Sequence, residues 1–370
     1  MKTRRILFGA LIVVGGVMML IPTLWAMIAY GRAQQLAVTM PIIDDAPSFV
    51  QIATSSQVTF TTNEPVQTPQ NGASVLFLRD IMLDRSVKIR SVRAGTRSYP
   101  FLGLPTGWIE SFDYTVANLE GPVTDTRRPP EKEIDFQFDP EVIPALQQTG
   151  IDAFSQANNH ALDQGNAGYQ DSVNRLREAG FVVFGHQVQD GDISFATTTI
   201  QGKKFAFLGW NTTDNPLDSM AASDAIQRVR ADADYVIAYL HWGPEYRDMP
   251  HQNEVETAQF LIREGVDVVI GGHPHWVQGI DTYYGKPIFW SLGNFVFDQD
   301  FSLRTKQGLA VGLSFRDDRV RAELFPVSIE KSQPALEEGD AKTKRLEQLS
   351  EISDVNLREA IRSGVVEFEL

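Results

Sequence analysis

Two histidines that follow an apolar run mark the segment of this chain best suited to chemistry. Residues 268–270 are Val-Val-Ile, and Gly-Gly-His-Pro-His follows them, so His273 and His275 lie in one short turn. A buried parallel strand is such a continuous apolar run, and the chemistry of α/β proteins lies in the loops at the carboxyl ends of these strands. Neutral imidazole is a common ligand of zinc-like metals. The segment predicts a strand that presents two metal ligands, with a structural pair of hydrogen-bonded histidines as the alternative.

Four further apolar runs end in side chains that bind metals. These runs end at Asp80, at Glu120, at the pair Asn159 and His160, and at His241. Glycine turns or helical patterns follow them, which is the alternation of an α/β sheet with crossover helices. We therefore expect all five clusters along one edge of a sheet. Each cluster alone could be a helix cap, a turn or a buried histidine, but five such strand ends in one chain favour a shared site.

The combined ligand set restricts the choice of metal. Carboxylates, an amide and several imidazoles suit divalent Zn, Mn or Fe, whereas calcium takes oxygen ligands throughout. The chain contains no cysteine, which excludes thiolate ligands and means that the fold depends on its core rather than on disulfides. The sequence therefore predicts one or two divalent metal ions as the cofactor.

Six short blocks follow one another in an order that is typical of one family. They are residues 80–83 (DIML) with Arg85, 117–122 (ANLEGP), 157–163 (ANNHALD), 241–243 (HWG) with Glu245 and Tyr246, 272–275 (GHPH), and 291–295 (SLGNF). In these blocks the chain resembles the CapA family of capsule and poly-γ-glutamate synthesis proteins, whose domain is related to the calcineurin-like metallophosphoesterases. The resemblance implies an α/β fold, a metallophosphoesterase-like layered sandwich in which helices flank central β-sheets.

The resemblance also implies a role for each candidate ligand. Asp80 would be a terminal ligand of one metal, Glu120 would bridge two metals, and His275 would return to the first metal. The ligands that complete the second metal would be Asn159, His241 and His273. Metallophosphoesterases usually have histidine two residues after the first aspartate, and Met82 stands there in this chain. The first metal would then have fewer ligands, and its site would be weak or empty.

Two residues are the candidate catalytic groups. His160 matches a position that acts in phosphoesterases as a general acid or as an electrostatic partner of the substrate, and Arg85 belongs to the same block as Asp80. Arg79, directly before Asp80, would lower the basicity of that ligand or clasp an anionic substrate, and a solvated surface arginine is the alternative.

The first 32 residues predict a membrane anchor. Residues 6–30 carry no charge, and about 20 apolar residues suffice to span a bilayer. Three basic residues precede this run and one, Arg32, follows it, so we expect a single-pass protein of the cell membrane with a cytoplasmic N-terminus and an extracytoplasmic main domain. A signal peptide cleaved after Ala33 is the alternative, and it would free the domain.

The remaining chain divides into three parts. Residues 33–72 are rich in Thr, Gln, Ser, Pro and Asn, which predicts a flexible linker. Residues 73–330 form the CapA-like domain, and residues 331–370 are a charged helical segment expected to pack on it. Two alternating runs at 308–329 predict a hairpin. Helices are predicted at 140–148, 165–179, 220–231, 252–264 and 341–363.

The charge of the chain restricts its partners. The formal net charge is −14, and no basic stripe is present, so nucleic-acid binding is disfavoured. The same charge repels an anionic polymer. A polymer of that kind would be bound locally, through the metals and through arginines such as Arg79, Arg85 or Arg247.

Three functions fit these features. The favoured hypothesis is a membrane-anchored, metal-dependent CapA-like protein in the synthesis of capsule or poly-γ-glutamate, with an anionic polymer or a phosphorylated or γ-glutamyl substrate. Other membrane subunits of capsule synthesis would be its protein partners. The alternative is a metal-dependent phosphoesterase or amide hydrolase of the cell envelope, in which the metals polarise the substrate and activate water. The third is a non-catalytic scaffold subunit of a polymer export complex.

Overall fold

Two β-sheets form the centre of the protein. The computed structural model describes residues 72–188 and 194–370. The strands of the first sheet are β1 (Ala73–Phe77), β3 (Tyr114–Asn118), β4 (Ala153–Ser155), β5 (Val182–Phe184), β13 (Gln307–Arg316), β14 (Arg319–Glu330), β15 (Gln333–Leu336) and β16 (Val365–Glu369). The strands of the second sheet are β6 (Phe195–Ile200), β7 (Lys203–Asn211), β8 (Tyr235–His241), β9 (Val268–Gly272), β10 (Ile280–Tyr283) and β11 (Lys286–Phe289). A small third sheet joins β2 (Asp80–Ile81) to β12 (Asn294–Val296).

Each large sheet has a parallel core, which antiparallel strands extend on one side in the first sheet and on both sides in the second. The order in the first sheet is β15-β14-β13-β1-β3-β4-β5, where β1, β3, β4 and β5 are parallel and β16 pairs with β14. The order in the second sheet is β10-β11-β9-β8-β7-β6, where β11, β9, β8 and β7 are parallel. Loops at the carboxyl ends of parallel strands are where α/β proteins place their sites.

Side chains from both large sheets fill the space between them. Val75 and Phe77 of β1 belong to this inner core, and the rings of Phe77 and Phe207 lie 6.3 Å apart. Leu76 and Leu78 alternate to the opposite face and pack in a second core. Successive side chains of a strand point to opposite faces, and each fully buried Leu or Phe contributes about 1.5–3 kcal/mol. The sheets are therefore a rigid platform for the loops.

Helices cover the outer faces of the two sheets. They are α1 (Arg85–Ala94), α2 (Ile143–Gln147), α3 (Gly165–Glu178), α4 (Ser219–Arg230), α5 (Gln252–Glu264), α6 (Gly339–Glu351) and α7 (Arg358–Ser363). Helix α3 packs on the outer face of the first sheet, and α4 and α5 pack on that of the second. The layered sandwich of central sheets flanked by helices is thus confirmed.

Local sequence signals set several element boundaries. Helix α5 has the predicted bounds because its capping box fixes the start, where the His251 N–H donates to Glu254 Oε2 at 2.6 Å, and Gly265 at φ 117° ends it. The predicted bounds of α3 and α4 are within one residue of those observed. The predicted hairpin is β13 with β14, in which Arg316 pairs with Arg319 across a two-residue turn.

The expectation of one common sheet edge is wrong. Strands β1, β3 and β4 belong to the first sheet, but β8 and β9 belong to the second. The parallel series stops at β5 because the next strand, β6, pairs antiparallel with β7 and so begins a new sheet. The five polar clusters come from two sheets that face each other.

The structure describes the C-terminal end of the chain but not the first 71 residues. The predicted membrane segment and residues 33–71 of the predicted linker lie outside the described residues. No helix within residues 72–188 and 194–370 is long and apolar enough to cross a membrane. At the C-terminus, residues 341–363 contain two helices where one was predicted, and the unpredicted strand β16 pairs with β14.

Candidate metal centre

Backbone pairing places the two acidic candidates side by side. Asp80 lies in β2, whose second residue, Ile81, forms a bridge with Leu119. The Glu120 N–H then donates to the Ile81 carbonyl at 2.9 Å. Both carboxylates are fully buried, and a buried charge is costly unless a partner compensates it. The fold therefore brings two costly anions to one point.

A pair of buried amides holds these carboxylates. Asn118 Nδ2 donates to Asp80 Oδ1 at 2.8 Å and lies 3.4 Å from Glu120 Oε2. Asn158 Nδ2 donates in turn to Asn118 Oδ1 at 3.0 Å, and Asn158 Oδ1 accepts from the His160 backbone N–H at 3.1 Å. The sequence analysis did not assign a role to either asparagine. They connect the acidic pair to the turn that carries His160.

One oxygen of Glu120 is left without a protein partner. Its Oε1 atom is buried and accepts no hydrogen bond from the residues that the structure describes. Burial, and next the negative charge of Asp80, raise the pKa of the Glu120 carboxyl well above its usual range. Such an oxygen is what a bridging metal ligand requires, because a divalent cation would compensate both the charge and the missing bond.

Three nitrogen and oxygen donors meet beside the acidic pair. His241 Nε2 lies 2.9 Å from Asn159 Oδ1 and 3.0 Å from His273 Nδ1. Ligands bound at about 2.0–2.2 Å around one ion are about 3–3.5 Å from each other in tetrahedral or octahedral geometry. The structure thus brings together the predicted donor set of the second metal at spacings that fit one ion.

His275 faces the other side of the acidic pair. Its Nδ1 lies 2.8 Å from Asn294 Oδ1, while Asn294 Nδ2 donates to Gln299 Oε1 and to the Thr305 carbonyl. Because that amide oxygen accepts, the proton of neutral His275 is on Nδ1, and its Nε2 lone pair is free. Nε2 lies 4.0 Å from Glu120 Oε1. This arrangement suits the predicted role of His275 on the first metal.

Burial keeps two histidines of the centre, His241 and His273, neutral. The pKa values of His241 and His273 lie well below the usual range, first because burial disfavours the charged ring and next because other histidines are close. Only the deprotonated nitrogen of imidazole binds a metal. Protons therefore compete little with a metal ion at these two rings near neutral pH.

Several residues of this region have a positive φ angle. His273 and His275 have φ angles of 94° and 57°, Tyr246 has 59° and Arg85 has 48°. Residues other than glycine rarely adopt such φ angles, and backbone strain of this kind is typical of functional sites. The turn that presents both histidines is held by its surroundings rather than by its own preference.

His160 belongs to a separate polar group next to the donors. Its Nδ1 lies 2.7 Å from Asp163 Oδ2, and burial lowers its pKa although Asp163 acts in the opposite direction. Lys132 Nζ lies 2.6 Å from Asp163 Oδ1 and also contacts the Asn159 carbonyl. The Phe136 ring packs 4.1 Å from the His160 ring. Lys132 was not among the predicted site residues, because it lies in a loop without a motif.

Comparison with known proteins identifies the family. The model of the family described as "Bacterial capsule synthesis protein PGA_cap" matches residues 74–299, more than half of the chain. The chain belongs to this family. The match confirms the predicted CapA resemblance.

Individual PGA_cap relatives agree with this assignment. The "PGA biosynthesis protein CapA" of Bacillus subtilis (strain 168) is 27% identical over 315 residues, which cover 80% of this chain and 82% of that protein. The "Capsule biosynthesis protein CapA" of Bacillus anthracis is 29% identical over 278 residues, or 69% and 67% of the two chains. Among solved structures, a putative 5′-nucleotidase from Staphylococcus aureus has a TM-score of 0.39 and 12% identity over 72% of this chain and 53% of its own, which is too low to support a conclusion.

Arg79 of this PGA_cap protein is buried beside Asp80, which agrees with the predicted effect on that ligand and not with a solvated surface arginine. It is 1% exposed, its Nη2 donates to the Leu240 carbonyl at 2.9 Å, and its guanidinium lies 4.3 Å from the centre of the Tyr239 ring. Its Nε lies 3.5 Å from Asp80 Oδ1. The buried Arg79 guanidinium therefore compensates the negative charge of Asp80 and connects the two sheets. It is neither a clasp for substrate nor a solvated side chain.

Gly272 provides the room that Arg79 needs. A Cβ at this position would overlap the Arg79 guanidinium. We expect Gly272→Ala to lower the free energy of unfolding by about 1–3 kcal/mol and to release metal, because Arg79 and the neighbouring His273 must both move. Urea denaturation and elemental analysis measure the two effects. Gly95→Ala is the control, because its Cβ meets no atom within 4 Å and only the left-handed φ of 72° is strained.

Arg85 lies at the rim of the centre. Its guanidinium pairs with Asp298 and lies 5.0 Å and 5.8 Å from the centres of the Phe136 and Phe297 rings. Phe136 packs on His160, and the Phe297 ring lies 4.9 Å from that of His275. These two rings place Arg85 between the predicted catalytic histidine and the metal donors, and its catalytic role stays a prediction.

Glu245 lies among the candidate donors, and Met82 does not. Donor atoms of Glu245, His273 and His275 lie within 4.8 Å of one another, as do those of a second group, Asp80 with Glu120 and His241. Glu245 was not predicted as a ligand, because it lies four residues beyond the end of β8. Met82 is buried, and its Sδ accepts from the Asp84 N–H at 3.1 Å, outside the donor cluster.

Proposed function

We propose that this protein is a metal-dependent component of anionic capsule polymer synthesis, with poly-γ-glutamate as the expected polymer class. Two relatives that align with most of the chain carry the names of poly-γ-glutamate and capsule biosynthesis proteins. The observation that carries the metal dependence is the buried Glu120 Oε1 without a partner, around which imidazole, amide and carboxylate donors converge. Their chemistry fits one or two ions of Zn, Mn or Fe.

The residues around the centre suit an anionic group of the substrate. When bound, the ions supply electrophilic stabilisation of a carboxylate or phosphoryl oxygen. Arg85 and Lys132 add positive charge at the rim, in a protein whose net charge is −14. Both side chains are partly exposed, so an incoming anion can exchange with their present acidic partners. Binding is therefore local, and the rest of the acidic surface does not contribute to it.

A hydrolytic reaction is the second candidate, and the His160–Asp163 pair favours it. Metal binding alone does not require this pair, because neither side chain belongs to the two donor groups. Asp163 holds the proton of His160 on Nδ1, so Nε2 is the atom that would exchange a proton with a reacting group. A phosphodiester or a γ-glutamyl amide would be the substrate class.

The proposed place of action is the outer face of the cell membrane, with other membrane subunits of capsule synthesis as partners. The charge-free run at residues 6–30 and the basic residues before it support this part of the proposal. Membrane fractionation followed by protease treatment of intact cells tests it. Protease-resistant main domain in intact cells would contradict it.

Metal content is the direct test of the proposed centre. We expect the purified full-length protein, dialysed against metal-free buffer, to contain one or two equivalents of Zn, Mn or Fe by elemental mass spectrometry. Chelation should then lower the melting temperature, because Asp80 and Glu120 would remain buried without compensation. No bound metal, and none on titration, would instead support the scaffold hypothesis.

A further inference from the structure

We propose that Glu245 is a metal ligand on the His275 side of the centre, an inference that rests on the proposed metal-dependent function. Glu245 Oε1 lies 3.9 Å from His275 Nε2, the ring nitrogen whose lone pair is free. The Glu245 carboxylate also lies in one donor group with His273 and His275. Glu245 thus adds a fourth donor to the three expected there, Asp80, Glu120 and His275.

The two sides of the centre differ in how closely their donors approach. The donors of Asn159, His241 and His273 are already at 2.9 Å and 3.0 Å, which fits one ion. From His275 Nε2 the corresponding separations are 4.0 Å to Glu120 Oε1 and 3.9 Å to Glu245 Oε1. These donors must close by several tenths of an ångström on an ion, so we expect weaker binding on this side.

The loop that carries Glu245 is fastened to the histidine turn. The Tyr246 N–H donates to the Pro274 carbonyl at 2.9 Å. Gln299 Nε2 donates to the Tyr246 hydroxyl at 3.1 Å, and Gln299 Oε1 accepts from Asn294, whose own Oδ1 accepts from His275. Glu245 and His275 are therefore positioned by one connected set of hydrogen bonds. A pair of metal ligands needs such a set, because hydrogen bonds from neighbouring residues fix the orientation of the side chains that bind the metal.

Glu245 is also the donor that faces solvent. Its side chain is 38% exposed, whereas those of Asp80, Glu120 and His275 are at most 3% exposed. An anionic group of the substrate would thus reach the centre on this side, where Glu245 would hold an ion together with His275. We expect an ion held here to exchange more readily than one held by Asn159, His241 and His273.

Calorimetric titration of the metal-stripped full-length protein with Mn²⁺ tests this assignment. The wild-type protein is expected to bind two ions with distinguishable affinities. Glu245→Gln should keep the tighter ion and weaken the other by at least about tenfold. Asp248→Asn is the matched control, because Asp248 belongs to the same loop but pairs with Arg304, and it should bind as wild type does.

Each other outcome has a defined meaning. If Glu245→Gln binds two ions with wild-type affinities, Glu245 is not a ligand, although the metal centre itself stands. If the wild-type protein binds a single ion, the inference is overturned in the same way. Loss of both ions in a folded Glu245→Gln protein would overturn the assignment to one side. Glu245→Asp keeps the negative charge on a side chain that is one methylene shorter, and its affinity for the weaker ion should be intermediate. This graded result would show that a folding defect does not cause the loss of binding. Absence of any binding to wild type contradicts the proposed function itself.

Discussion

Glu120→Gln is expected to abolish metal binding while the protein remains folded. Glu120 lies between the two donor sets, and its Oε1 has no other partner within the described residues, so an ion on either side loses its shared ligand. The loss in metal affinity should exceed about 100-fold, because changes of residues that only hydrogen-bond to a metal ligand already lower metal affinity by about 10–100-fold. Elemental analysis and Mn²⁺ titration measure it. In a strain that carries only this variant, the amount of capsule polymer should fall to that of the deletion strain.

The stability of the metal-free protein gives this prediction a second readout. The native pKa of Glu120 is raised above its ordinary value of 4.5, mainly by burial, so the native state binds a proton that the unfolded state releases. The stabilisation from this proton is complete below about pH 4.5 and is lost as the pH rises through the native pKa. Glutamine has no such proton. Metal-free Glu120→Gln should therefore exceed the metal-free wild type in melting temperature by a margin that grows with pH.

The exposed Glu141 provides the control for this experiment. Glu141 pairs with Arg97 at 2.7 Å and its side chain is 75% exposed. Glu141→Gln should retain metal and polymer, since exposed ion pairs contribute little. Full metal occupancy in Glu120→Gln would show that the bridging role is wrong.

Under the hydrolytic candidate, His160→Gln is expected to retain metal and to slow hydrolysis by about 10²–10⁴-fold, the usual contribution of general acid–base catalysis. The backbone N–H of residue 160 still donates to Asn158, so the neighbouring Asn159 should keep its position. The assay uses bis(p-nitrophenyl) phosphate and γ-glutamyl-p-nitroanilide with metal-loaded protein. Turnover at the wild-type rate would exclude a role of His160 as the acid.

Asp163→Asn separates the chemistry of His160 from its positioning. Asp163 touches the His160 ring, the Phe136 N–H and Lys132, but it belongs to neither donor group. The variant should lower kcat by less than His160→Gln does and should leave the metal content unchanged. An unchanged kcat would mean that the ring needs no support from Asp163.

The candidate ligands could be chosen from the sequence because strand ends have a strong sequence signal. Each donor follows an apolar run, and the chain folds these ends together. Glu245 and Lys132 have no such signal, since loops reach the centre through tertiary contacts that no local pattern records. The complete burial of Arg79 was not predicted, for a related reason. Its burial depends on Gly272 and on Leu240, which lie in the opposite sheet.

The fold was predictable where boundaries depend on local chemistry. The capping box and Gly265 define α5, and the alternation of β13 and β14 defines the hairpin. The division into two sheets was not predictable in this way, because long-range pairing decides that β5 joins the first sheet and β6 the second. Strand β16 is short and half exposed, so its alternation resembles that of a charged tail.

Strand β1 lies in the middle of the first sheet, between β3 and a strand from near the far end of the chain, β13. Asp80 is likewise paired with Asn294 in the small sheet. Contacts of such long range form late in folding, because much chain entropy must be lost before they are made. A growing chain therefore cannot complete the donor set, which extends from Asp80 to His275, until most of its residues have been made. Metal uptake would report that the whole domain has been completed, and truncated chains would remain inert.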